Sequence, residues 1–508
     1  MVRRPGRVGW AWIGATLLAV VLGAAGFWVG GGLGAGIGVA AGGLVPLWIE
    51  RATRRQEAVE SALGAEVLSR EYGPAHLLEP GLGVVPFTGR EAELGALEGW
   101  CLDERAGRVR LVSGGGGTGK TRLALELKKR MARRGWRCVQ VEEGREPEVV
   151  GLERAAAAAS GQLLLIVDYA EARPGLEGLL VAAARDEGRV RVLLLARQPG
   201  EWWERLGGGR GVVRDMVRDA SLSRLALAGD ISPGISGDEV VRGAVPFFAA
   251  RLGVVPPDPG LVSVTGAGEL RVLDSHAAAL VAILASRQRP AGAAVRVDVP
   301  MVLEELLGHE KHYWHGRADA VGLLSGPGGL NMAQLSQVVA AGCLLGVSVA
   351  AERAVRVPGV PVTGAVASWL RDLYPPDGDG QLGALRPDRL AELHVTRELA
   401  ASPALAGACL TGLEAWQARR ALILLARASA DQRAARPLLE SALFGFPEVI
   451  AGFAEPREVM IAVADAIPYP SLALAEAHAS ISGADRGDLR AGNGRAGAVA
   501  EYLRGTAR

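Results

Sequence analysis

The chain has 508 residues, with 56 basic and 55 acidic side chains and a formal net charge of +1, which argues against both a polybasic nucleic-acid binder and an acidic solvating protein. At about 150 residues per domain the length corresponds to three or four folded units. Hydrophobic residues make up 49% and aromatics 5%, which excludes wholesale disorder and predicts cores of Ala, Leu and Val. The four cysteines, Cys101, Cys138, Cys343 and Cys409, form no CxxC pair, so neither a disulfide framework nor a zinc knuckle is indicated.

The first predicted element is apolar. From Val8 to Ile49 there is no Asp, Glu, Lys, Arg or His, about twice the ~20 residues that one membrane span needs. Two spans fit, with a break near Gly30 to Gly36, where every position but Leu33 is Gly or Ala. Arg3, Arg4 and Arg7 precede the run and Arg51, Arg54 and Arg55 follow it, so the positive-inside rule predicts a hairpin with both ends cytoplasmic. Residues 1–55 are therefore expected to anchor the chain in the inner (cytoplasmic) membrane, with the lipid bilayer as a partner and residues 56–80 as a linker. A secretory signal peptide is the competing interpretation, but it would export the nucleotide site predicted next to a compartment without ATP.

Residues 108–113 (RVRLVS) form a short buried strand that runs into Gly114, Gly115, Gly116, Gly117, Thr118, Gly119, Lys120 and Thr121, followed by the helical pattern RLALELKKRMARRG. This is GxxxxGK[ST] in the strand–loop–helix context that a P-loop requires. Glycines let successive backbone N–H groups point inward at phosphates, and the helix N-terminus adds its dipole. Lys120 is expected to reach the β- and γ-phosphates of ATP, and the Thr121 hydroxyl to ligate Mg²⁺. The position is notable because Lys120 is one of only four lysines in the chain.

A second strand, residues 162–167 (QLLLIV), is uninterruptedly apolar and ends in Asp168, the Walker B pattern that delivers a carboxylate to the magnesium shell. Three residues on, Glu171 is the candidate to orient or deprotonate the attacking water. Strands are also predicted at 137–141, 190–195 and 223–228, completing a five-stranded parallel α/β sheet. Arg197 follows the 190–195 strand and is the candidate sensor of the γ-phosphate. Asp168, Glu171 and Arg197 together form the predicted catalytic set.

These residues resemble the STAND class of signal-transduction P-loop ATPases, related to NACHT and apoptotic-ATPase proteins. The resemblance rests on Phe87-Thr-Gly-Arg90-Glu-Ala-Glu-Leu94, the P-loop, LLLIVDYAEAR and LLLAR ending at Arg197, and covers about residues 80–400. It implies that Phe87 and Arg90 lie on the adenine side of the nucleotide. It also implies a P-loop NTPase domain over 81–232, a helical lid over 233–325 and a winged helix over 326–396, while the alanine- and leucine-rich pattern beyond suggests a helical or repeat-like tail over 397–508 that senses a protein or ligand. The winged helix would end in a hairpin carrying residues 386–395, with His394 a candidate phosphate contact. A member of this class is an ATP-controlled switch that oligomerises with itself and hydrolyses ATP slowly; nucleic acid is not an expected partner. The alternatives are an ATP-dependent winged-helix nucleic-acid regulator, disfavoured by neutral charge and the apolar hairpin, and a motor or transport ATPase.

Two further features are read as packing. In His309-Glu310-Lys311-His312-Tyr313-Trp314-His315 the zincin spacing HExxH is broken at Tyr313. The pair Trp202-Trp203 has no basic–aromatic interleaving around it and is assigned to a core or an interface.

Overall fold

The computed structural model describes residues 72–142 and 162–477, with breaks at 174, 186–188, 226–236, 267–269, 291, 326–328, 347–356, 361–363, 376–384, 446–455, 468–470, 472 and 475–476. The chain divides into two compact units, Met1–Tyr72 and Gly73–Arg508, and every described residue except Tyr72 belongs to the second. The expected membrane hairpin over residues 1–55 lies outside the described residues. Among the described residues no helix is long and apolar enough to cross a membrane.

Strands β1 (Val109–Ser113), β2 (Arg137–Gln140), β3 (Gln162–Val167), β4 (Arg189–Ala196) and β5 (Ser221–Arg224) form one parallel sheet in the order β2-β3-β4-β1-β5. The apolar run of β3 shows no alternation because both of its faces are buried. Leu163, Leu165 and Val167 enter one core, and Leu164 and Ile166 enter the other.

Helices α1 (Glu91–Leu102) and α2 (Lys120–Arg133) cover the second of these faces. Along α2, Leu123, Ala124, Leu127 and Met131 are buried, and their spacing makes a single stripe. On the opposite face lie α3 (Leu176–Arg185), α4 (Glu201–Gly208) and α5 (Val212–Arg218). Trp202 and Trp203 are buried there edge to face, 5.5 Å between ring centroids, so the tryptophan pair is core.

The rest of the described chain is mainly helical. In order it comprises α6 (Gly237–Leu252), β6 (Val262–Thr265), α7 (Val272–Ser286), β7 (Val295–Asp298) and α8 (Val302–Ala320). Then follow α9 (Met332–Leu345), α10 (Gly364–Leu373), α11 (Asp388–Ala401), α12 (Pro403–Cys409), α13 (Ala415–Asp431), α14 (Ala435–Gly445) and α15 (Pro456–Ala466). Strands β6 and β7 pair in parallel across α7, a small βαβ unit where the sequence pattern suggests helix alone. Within α8, Glu310 and Trp314 turn inward, and Glu310 accepts a 2.6 Å hydrogen bond from the Ala75 amide.

The expected hairpin over 386–395 is instead the start of α11, and the described part of 326–396 contains helices and no strand. Pro387 caps the helix N-terminus, where its missing N–H is harmless, rather than breaking a strand. His394 consequently does not approach the phosphate loop. It is fully buried, with Nε2 3.0 Å from the Ser336 carbonyl and its ring 5.0 Å from Trp314, and burial pushes its pKa down to about 4.

Candidate phosphate-binding site

Parallel strands bring their carboxyl ends to one edge of the sheet, where ligands of open α/β sheets bind. From that edge β1 runs into the glycine loop. Gly117 and Gly119 have φ of +81° and +94°, values that a side chain would strain, and Gly119 leads directly into α2. The Gly114 amide hydrogen-bonds the Ala196 and Arg197 carbonyls at 3.2 and 3.1 Å, tying the loop to the end of β4. Arg90, 3% exposed, donates to the Thr118 carbonyl at 3.1 Å and so props the loop from behind. Phe87 packs against the core under α2.

Lys120 Nζ turns back onto the carbonyls of Gly114 and Gly115, at 2.5 and 3.0 Å. Burial pushes its ammonium down to about 8, against the opposing pull of the Asp168 and Glu171 carboxylates. The Thr121 hydroxyl donates to Asp168 Oδ2 at 2.8 Å, and Asp168 Oδ1 accepts from the Tyr169 amide at 2.9 Å. Burial raises the Asp168 pKa, while the Thr121 bond and Lys120 hold it back. Two hard oxygen donors therefore stand together at the end of β3, a donor set suited to Mg²⁺.

Glu171 lies one short turn further on. Its Oε1 accepts from the Arg197 amide at 3.3 Å, while its Oε2 is buried and has no hydrogen-bond partner. Asp168, Glu171 and Arg197, drawn from the ends of β3 and β4, are thus brought together beside the loop.

Helices from later in the chain cover this edge through contacts that have no local sequence signature. A methyl group placed on Gly116 would stand 3.5 Å from the Arg389 stem and 3.6 Å from Arg197 Nη2. The Leu273 amide donates to the Gly117 carbonyl at 3.0 Å. Arg197 pairs with Glu392, the Tyr169 hydroxyl donates to Asp388, and Arg389 pairs with Asp274. Arg427 stacks 4.2 Å from the centre of the Tyr169 ring and lies 3.9 Å from Glu171 Oε1. Arg271 grips Asp431 with two bonds of 2.8 and 3.0 Å. Helices α7, α11 and α13 are thereby fastened to the loop. From α15, Asp465 accepts from the Glu201 and Trp202 amides at 3.0 and 3.2 Å, capping the α4 N-terminus.

Asp388, Arg389, Glu392 and Arg427 have no motif spacing to reveal them, since they reach the site through long-range packing. Tyr169, which Asp388 and Arg427 engage, has φ +56° and is the single non-glycine residue with positive φ among the described residues.

The strand order, the glycine loop between β1 and α2, and the carboxylate at the end of β3 define a P-loop NTPase fold. No family model matches the chain, and no curated protein matches it. Similar solved structures include domain III of the replication initiation protein DnaA from Thermotoga maritima, at 10% identity over 46% of this chain and 98% of that one, with a TM-score of 0.30. The Aeropyrum pernix ORC1 protein, solved in complex with DNA, matches at 17% identity over 67% of this chain and 99% of that one, with a TM-score of 0.29. PCH-2 of C. elegans matches at 13% identity over 46% of this chain and 70% of that one, with a TM-score of 0.27. At these values the likeness bears on neither ligand nor activity.

Proposed function

We propose that the chain is a membrane-anchored, ATP-binding signalling switch of STAND type, which binds and slowly hydrolyses ATP to control its conformation and its assembly into homo-oligomers. The observation that carries this reading is the seam between the glycine loop and the helices. Arg197 and Tyr169, at the ends of the strands that would face the terminal phosphate, are bound to Glu392 and Asp388 of one helix. A site fastened in this way can couple what occupies it to how the helices sit.

In this reading the amides of residues 114–119 and the Lys120 ammonium hold the β- and γ-phosphates, with Phe87 and Arg90 on the adenine side. Thr121 and Asp168 would hold Mg²⁺, which when bound screens phosphate charge. Glu171 receives the proton of the attacking water on its unpartnered Oε2, and Arg197 faces the γ-phosphate. Residues 8–49 anchor the assembly in the bilayer, and the helices after residue 397 receive the signal.

The test is Lys120→Ala in the full chain in detergent, titrated calorimetrically with ADP and ATP. Affinity should fall by about a decade or more, since charge-assisted hydrogen bonds contribute about 1.5–3 kcal/mol. Unchanged affinity would overturn the reading. Particle mass should rise with a non-hydrolysable ATP analogue relative to ADP; equal masses would remove the assembly part.

A further inference from the structure

Glu392 lies in the middle of α11 and is 3% exposed, on a helix whose other buried residues include Leu390, Ala391, Val395 and Leu399. A buried carboxylate is unfavourable unless it is paired, and a buried ion pair seldom stabilises a fold more than packed apolar side chains would. Its presence therefore calls for an explanation other than stability. Its partner is Arg197, whose guanidinium reaches the glycine loop beside Gly116. One helical turn earlier, Asp388 accepts from Tyr169, so two carboxylates at i and i+4 share the helix face that meets the sheet edge.

We propose that Glu392 is an internal competitor for the terminal phosphate and sets the discrimination between nucleoside triphosphate and diphosphate. This rests on the nucleotide reading above. The Glu392 carboxylate occupies, on Arg197, the anion position that a γ-phosphate would take. A triphosphate must displace it, whereas a diphosphate leaves the pair intact. Displacement strips a buried carboxylate of its cation, and burial already raises the Glu392 pKa against the pull of Arg197. With Arg197 gone, Glu392 must leave its position or take up a proton, and either change loosens α11 from the sheet edge. The Arg197 backbone transmits the same event inward, because its amide holds Glu171 Oε1 and its carbonyl holds the Gly114 amide.

The test is calorimetric titration of the full chain in detergent with Mg²⁺ and either ADP or adenylyl imidodiphosphate. Glu392→Gln keeps the shape and a neutral acceptor but withdraws the competing charge. Affinity for the triphosphate analogue should rise about tenfold, or 1.4 kcal/mol, with affinity for ADP changed less than twofold. In an Arg197→Ala background the same substitution should change neither. Equal shifts for the two nucleotides, no shift for the analogue, or an effect that survives Arg197→Ala would each overturn the proposal. If Glu392→Gln does not fold, Glu392→Asp retains the charge but draws it back by one methylene and should strengthen analogue binding about threefold; no change there would also overturn it. Failure of the wild type to bind either nucleotide, or Lys120→Ala binding both normally, would instead overturn the nucleotide reading and this proposal with it. Normal ADP binding with no analogue effect overturns this proposal alone.

Discussion

The sheet half of the molecule, residues 109–225, and the helical half, residues 237–477, both bury polar side chains, but they use them differently. Inside the helical half Lys311 and Ser336 both donate to Glu398 Oε1, at 2.9 and 2.6 Å, and His394 Nε2 meets the Ser336 carbonyl, while His394 Nδ1 and Thr396 Oγ1 are buried without a hydrogen-bond partner. At the sheet edge the bonding is incomplete or improvised. Glu171 Oε2 has no partner, and Lys120 is turned onto carbonyls of its own loop. What distinguishes the edge is position: its groups with spare capacity, Glu171 Oε2 and the Lys120 ammonium, lie beside the glycine loop, whereas those of the helical half are enclosed among packed helices. The difference sets a packed helical half against a sheet edge whose polar groups keep spare hydrogen-bonding capacity.

The strongest way to break this comparison is to damage the helical interior. Trp314 is 1% exposed and its Nε1 donates to the Tyr374 hydroxyl at 2.8 Å, so Trp314→Ala should lower stability by about 3–5 kcal/mol, read by denaturant unfolding. If the helical half only covers the site, nucleotide affinity of the protein that remains folded should change less than about threefold. A parallel loss of affinity would mean that the two halves are one energetic unit.

A smaller effect should come from the sheet edge itself. Glu171→Gln keeps shape and hydrogen bonding but removes the base, so ATP turnover should fall by about 10² or more while unfolding midpoints and nucleotide affinity stay near wild type. Undiminished turnover would show that the orphaned carboxylate oxygen has no part in hydrolysis.

The smallest effect sharpens the role of Lys120. Burial holds its pKa near 8, so the free protein loses this charge as pH rises through that value, while binding phosphate requires it. Nucleotide affinity should therefore be highest below pH 8 and fall about tenfold by pH 9, measured by titration across pH. An affinity flat to pH 9 would show that the ammonium stays charged without phosphate.

The two halves also differ in how much of them could be read from sequence. The apolar run before Asp168, the glycine loop and Arg197 after β4 are local patterns, and each stands in the structure where its spacing put it. The helical half was misread where local signals were ambiguous. Pro387 within a turn-rich stretch resembled a hairpin, yet it opens α11, whose buried Leu390, Ala391, His394, Val395 and Leu399 follow a helical period. Strands β6 and β7, four residues each, are too short to rise above their helical surroundings. Glu392 and Arg389 were invisible for a deeper reason: their partners lie 195 and 115 residues away in the chain, and no spacing rule spans that distance.

Tyr169, with its φ of +56°, is where the two halves meet on one strained residue. A non-glycine residue in this region carries roughly 1–3 kcal/mol of backbone strain and persists only where its surroundings hold it. Here the restraints visible on the side chain, the Asp388 bond and the stacked Arg427, come from helices of the other half. The φ of this one residue is thus held jointly by its own turn, through Asp168 Oδ1 and the Ala172 amide, and by α11 and α13 through its side chain, so the sheet edge and the helices share a single backbone conformation.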